Sequence, residues 1–271
     1  LSWLVDREMA QNEITGISIA LVDDQKVIWQ QGFGYADLEN KVLATPETVY
    51  RAGSIAKVFT AAAAMQLAEQ GKLDIDQPLA SALPEFSIQS RFPNADPITP
   101  RNIMCHHSGL PSNFLQGLFV REPDRFESVV AKIRDEYQTF PPNYVFSYSN
   151  LGMALLGAAV QKVSNEPFDT YMARRFFQPM GMTQSSFVPR PIAKAYDRNK
   201  EIEVFSLRDM PAANLLSNVV DLSQFMKMQF ADGKFGENHI LSAASAHEMV
   251  RIQNKNFPMT FSQSLLIEFD P

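Results

Sequence analysis

The chain has 271 residues, of which 45% are apolar and 20% charged, with a formal net charge of -6. That length suits one large domain or a domain with a sizeable insertion, and it buries a substantial core without disulfides. The acidic balance argues against a nucleic-acid groove, and no run of about 20 apolar residues offers a membrane span. Cys105 is the only cysteine, which excludes intrachain disulfides and Cys-x-x-Cys sites.

Along the chain, residues 1–12 place Leu1, Leu4, Val5 and Met9 on one face, the pattern of an amphipathic helix. The chain opens on Leu1 rather than methionine, which leaves an export signal ahead of it an open question. Residues 16–34 read as two strands around an Asp-Asp-Gln-Lys turn. A helix is expected over 55–70, ended by Gly71. Pro78, Pro84, Pro93, Pro97 and Pro100 then mark a loop-rich stretch. Within it, Thr99-Pro100 forms an N-cap and first-turn pair for a helix through Cys105. Helical patterns follow over 125–137, 150–163, 166–177, 219–231 and 242–250, with a polar surface loop over 189–203. The twelve methionines, Met226 and Met228 among them, read as core filler. A lone hairpin is marginal in water, so the sheet needs further strands. The closing residues Ser264–Pro271 read as the start of one, and the sheet is expected to be incomplete within this sequence.

The chemistry gathers at two places. Ser54 precedes an alanine-rich helix and Lys57 follows it by three residues, so the two share a face. Val58, Phe59 and the alanines at 61–64 would wall the lysine from water, and burial disfavours the ammonium. The helix N-terminus adds positive potential at Ser54. A lysine in that setting can take the serine proton, which activates the hydroxyl as a nucleophile. The second place is Tyr148-Ser149-Asn150, ahead of a helix with a small-residue face. A lysine cation beside Tyr148 would bring its phenol into range as a base, and Asn150 can both donate and accept. The bland alternative is a buried tyrosine followed by an asparagine cap.

Taken together, "SIAK" (Ser54–Lys57) and "YSN" (Tyr148–Asn150) resemble the first two motifs of serine β-lactamases and penicillin-binding peptidases. The tyrosine resembles the class C β-lactamase and D-peptidase/esterase branch. Val49–Phe86, "MCHHSGLPSN" (Met104–Asn113) and "MPAANLLSNVVDLSQFM" (Met210–Met226) are similar to further stretches of that family, so the resemblance runs along nearly the whole chain.

The resemblance implies an α+β fold of the α/β-sandwich type. An antiparallel sheet flanked by helices occupies 1–69, a mainly helical domain 70–205, and 206–271 returns towards the sheet. It implies Ser54 as the acylated nucleophile, Lys57 as the acceptor of its proton and Tyr148 as base or relay. Asn150 would orient Lys57 and a substrate amide, with Asn113 beside that amide where class C enzymes carry a glutamine. The Ser54 N–H would form half of an oxyanion hole, a donor worth roughly 3–4 kcal/mol. The implied substrate is a β-lactam, a D-amino-acid peptide or a small ester, with no metal and no organic cofactor. The family analogy points to a bacterial periplasmic or secreted location and leaves the oligomeric state open.

The family's third motif, Lys-Thr-Gly or His-x-Gly on a strand, would come after the residues present. His107-Ser108-Gly109 belongs to the loop before the second motif and does not replace it. Class A features are missing: there is no Ser-Asp-Asn, and Asn165–Phe168 fits its Glu-bearing loop poorly. No Gly-x-Ser-x-Gly and no phosphate loop occurs. His106 and His107 are adjacent and diverge, His247-Glu248 lacks a second histidine, and His239 is isolated, so all four read as structural or surface residues. The rival function is a non-catalytic binding or scaffold protein that keeps the penicillin-binding fold.

Overall fold

The computed structural model describes residues 1–253, and the strand expected over Ser264–Pro271 lies outside the described residues. The fold mixes helices and small antiparallel sheets, as the resemblance implied. Helix α1 (Ser2–Gln11) leads into the hairpin of β1 (Gly16–Asp23) and β2 (Lys26–Asp37), which turns through Asp24-Gln25. A short third strand, β3 (Val42–Leu43), pairs with the far end of β2. Of the expected apolar face of α1, only Val5 is buried. Leu1 and Leu4 face out, and Trp3 is 72% exposed. The helix meets β2 where Gly34 offers Met9 a side-chain-free seat and where Ser2 Oγ donates to Gln31 Oε1 at 3.3 Å.

Strand β4 (Tyr50–Gly53) ends at Gly53, whose φ of 56° suits glycine and lets the chain swing through Ser54 into α2 (Ala56–Glu69). Helix α2 buries Phe59, Met65 and Leu67 together with the alanines at 61–64. A fully buried side chain of the size of Phe59 contributes roughly 1.5–3 kcal/mol. Its ring lies 4.5 Å from that of Phe225 and 5.7 Å from that of Phe177. The loop-rich stretch holds α3 (Leu79–Ala82) and α4 (Pro100–Met104). Thr99 caps α4 as expected, in a reciprocal box with Asn102.

The helix expected over 125–137 is broken. Only α5 (Val129–Lys132) is α-helical, between 3₁₀ turns at Phe126–Ser128 and Ile133–Asp135. The three-residue spacing of Phe126 from Val129, and of Val130 from Ile133, fits a 3₁₀ turn as well as an α turn, and all four are buried. Helix α6 (Asn150–Ser164) runs as expected, and α7 (Phe168–Met172) widens into π geometry over Ala173–Phe177, with Phe176 and Phe177 both buried.

The expected surface loop over 189–203 contains a hairpin, β5 (Ala195–Asp197) with β6 (Lys200–Ile202). Arg198 and Asn199 both take positive φ at its turn, the geometry that two-residue hairpins need. Then come α8 (Met210–Ala213), β7 (Leu215–Ser217), α9 (Val219–Phe230), the β8 (Lys234–Phe235) and β9 (Asn238–His239) hairpin, and α10 (Ala243–Val250). Strand β7 pairs antiparallel with β4, matching Gly53 to Leu215. Met228 of α9 is core as expected, whereas Met226 is exposed.

One ion-pair network fastens α4 to α10. Arg101 reaches Asp76 at 2.5 Å and also bonds Glu248, which Arg251 holds at 2.6 Å. These guanidiniums, Arg251 foremost, hold the Glu248 carboxyl down to about 2. An unfolded glutamate titrates near ~4.3. A carboxyl depressed in the folded state adds stability above that value and loses it as pH falls towards about 2. Glu248→Gln should therefore be less stable at neutral pH and lose less stability on acidification between about pH 4.5 and 2. Urea unfolding across that range checks this, and parallel profiles for the two proteins would refute it.

Candidate active site

Ser54 occupies the turn between β4 and α2, exposed, while Lys57 in the first turn of α2 is only 7% exposed. Their spacing brings them together: Lys57 Nζ donates to Ser54 Oγ at 3.1 Å. A second donation, to the Ala212 carbonyl of α8 at 2.9 Å, holds the ammonium from the far side. Lys57 Nζ also stands 4.6 Å from the centre of the Tyr148 ring, within range of a cation–π contact. Tyr148 Oη donates to Ser54 Oγ at 2.8 Å. Ser54 Oγ thus receives two hydrogen bonds, one from each group expected to handle its proton.

Asn150 opens α6, but the cap is Ser149, whose Oγ accepts from the Gly152 N–H at 2.8 Å and donates to the Pro111 carbonyl at 2.7 Å. This frees the Asn150 amide from capping duty. Its Nδ2 donates to Asn113 Oδ1 at 2.9 Å, so the two expected amide-binding residues meet. Asn113 sits on the loop after His106 and His107. Both histidines are buried, and burial pushes the His107 imidazole below its ordinary value.

The sequence reading missed two supports. The Ala212 carbonyl leaves no side-chain signature, although Pro211-Ala212-Ala213 lies in a stretch matched by resemblance. Thr60 of α2 reinforces the same joint by donating to the Pro211 carbonyl at 2.7 Å. The other support is Arg208, fully buried and paired with the fully buried Asp209 at 2.8 Å. Arg208 also donates to the carbonyls of Gln116 at 2.6 Å and Phe114 at 2.8 Å, which ties down the loop that follows Asn113. Burial raises the Asp209 carboxyl, while Arg208 and Lys57 pull it the other way. Asp209 Oδ2 has no hydrogen-bond partner among the described residues, so the positive charges of Arg208 and Lys57 are its compensation.

Among the described residues no helix is long and apolar enough to cross a membrane, and no group of three or more metal-ligating side chains gathers.

A family model described as Beta-lactamase matches residues 2–262, and the chain belongs to that family. Protein flp of Staphylococcus aureus (strain COL) is 27% identical over 240 residues, which cover 84% of this chain and 48% of that protein. Penicillin-binding protein 4 of Amycolatopsis lactamdurans is 28% identical over 255 residues, covering 89% of this chain and 66% of the relative. The octameric penicillin-binding protein homologue from Pyrococcus abyssi superposes with a TM-score of 0.82 at 27% identity, covering 98% of this chain and 64% of that one. The chain thus spans about half the length of the first of these curated relatives.

Close packing holds the lysine's anchor. A methyl group on Gly157 of α6 would lie 2.3 Å from Pro211 Cγ. Alanine is the better helix former by up to about 1 kcal/mol, yet overpacking of this kind costs about 1–3 kcal/mol. Gly157→Ala is therefore expected to destabilise the protein in urea unfolding. A gain in stability would show that α8 yields freely.

Proposed function

We propose that the chain is a serine hydrolase of the β-lactamase and penicillin-binding type, arranged as in the class C branch, which forms an acyl-enzyme on Ser54. The observation that carries this reading is the convergence of Lys57 Nζ and Tyr148 Oη on one serine oxygen, at 3.1 and 2.8 Å. Membership of the Beta-lactamase family and likeness to penicillin-binding proteins support it.

In the proposed reaction, Ser54 Oγ attacks the carbonyl carbon of a β-lactam, a D-amino-acid peptide or a small ester. For this step Lys57 reacts as the neutral amine, its resting proton given up to water, and Nζ accepts the Ser54 proton with Tyr148 as relay. The C–N or C–O bond then breaks, and the departing atom takes up a proton from Tyr148. Water, deprotonated through the same tyrosine, attacks the ester and restores Ser54. Asn150 and Asn113 face the substrate's amide, and the Ser54 N–H donates to the oxyanion.

An intact-mass time course with a penicillin, with Ser54→Ala as control, tests the reading. A Ser54-dependent adduct is expected. A long-lived adduct marks a slow penicillin-binding peptidase, and a short-lived one with hydrolysed penicillin marks a β-lactamase. Neither adduct nor hydrolysis, with small esters also left intact, would favour a non-catalytic binding protein. General-base groups contribute about 10²–10⁴-fold, so Lys57→Ala should slow acylation by roughly 10²-fold or more. Tyr148→Phe should chiefly prolong the adduct, and an unchanged lifetime would remove Tyr148 from deacylation.

A further inference from the structure

We propose that His106 is a positioning residue for Tyr148, holding the phenol on Ser54 through a hydrogen bond that only one form of its imidazole can accept. This rests on the reading of Ser54 and Tyr148 given above.

The three residues Ser147-Tyr148-Ser149 are gripped by His106 at both ends. The His106 carbonyl accepts from the Ser147 N–H at 2.8 Å. Its Nδ1 accepts from the Ser149 N–H at 3.2 Å. Between these two bonds the imidazole lies against the phenol, with ring centres 4.5 Å apart and planes inclined at 39°. Phe146 meets the imidazole edge-on at 5.9 Å. The peptide neighbours and the ring of Tyr148 are thus all fixed by one residue, which is itself only 4% exposed. His106 takes a φ of 58°, a left-handed geometry uncommon for a residue with a side chain. That backbone is kept where it sends carbonyl and ring to the same turn.

The hydrogen bond fixes the proton. A backbone N–H can be accepted only by a ring nitrogen with a free lone pair, so Nδ1 is unprotonated and the neutral imidazole carries its hydrogen on Nε2. Ser149 is also the cap of α6. Asn150 has holds of its own, its N–H on the Ser112 carbonyl and its Nδ2 on Asn113, both at 2.9 Å, so the grip of His106 bears on Tyr148. The adjacent His107 does something else. Its Nδ1 pairs with the Cys105 carbonyl at 2.7 Å, and its own carbonyl accepts from the Asn143 N–H.

Two substitutions separate the hydrogen bond from the packing. His106→Asn supplies an amide oxygen near the place of Nδ1 and loses the ring. His106→Phe keeps a ring against Tyr148 and loses the acceptor. Misplacing a reacting group by about 1 Å costs on the order of 10²-fold, so His106→Phe should prolong the penicillin adduct by up to that factor with little change in KM. His106→Asn should stay near wild type. Since His106 acts through Tyr148, His106→Phe should add nothing in a Tyr148→Phe background. Equal effects of the two His106 variants, or a full additional effect in the Tyr148→Phe background, would overturn the proposal.

Where His106→Phe does not fold, nitrogen-15 NMR of the histidine-labelled wild-type chain decides. The Nε2–H tautomer is expected for His106, and an Nδ1–H tautomer or an imidazolium at neutral pH would overturn it. A wild-type chain that forms no adduct and leaves both penicillin and small esters intact refutes the reading of Ser54 instead, and the tautomer still reports the grip on the turn.

Discussion

The structure depends on keeping the Lys57 ammonium buried directly beneath an exposed serine. A charge out of water is expensive unless it is met by partners. Here the partners come from three distant parts of the chain: the Ser54 hydroxyl, the Ala212 carbonyl and the face of the Tyr148 ring. The antiparallel pairing of β4 with β7 brings the first two together, because Ser54 follows one strand directly and α8 precedes the other. The third comes from the turn just ahead of α6, a helix whose small residues let it lie close to α2 and α8.

The same logic recurs on the other side of the site. Arg208 is only 1% exposed, and it is satisfied by Asp209 and by two carbonyls of the loop that begins at Asn113. Breaking such a pair typically costs about 3–5 kcal/mol, since it strands a charge in the interior. The segment 206–213 therefore anchors Lys57 through Ala212 and the Asn113 loop through Arg208. Both sides of the proposed site hang on one short stretch of chain.

Much of this could be read from residues alone. The cap at Thr99 and the apolar run of α2 have local causes, and local causes are written in sequence. The short hairpin at 195–202 escaped notice because its strands are polar, and its turn uses Arg198-Asn199 rather than glycine. The broken helix over 126–135 and the exposed face of α1 escaped for another reason. Periodicity records which residues are apolar and says nothing of what stands opposite them. Leu1 and Leu4 carry the pattern of a buried face with Val5, yet both are exposed.

By itself the sequence determined the serine, the lysine one turn on and the tyrosine–asparagine pair, since helix periodicity and the two motifs are properties of neighbouring residues. It also determined the family, since the resemblance extends along nearly the whole chain. Only the tertiary structure decided which atoms hold them. The Ala212 carbonyl, the His106 lone pair and the Arg208 clamp are backbone groups, protonation states and long-range contacts. Such features gain meaning only once segments far apart in the chain are packed, and a buried charge or donor selects whichever acceptor the packing brings within reach.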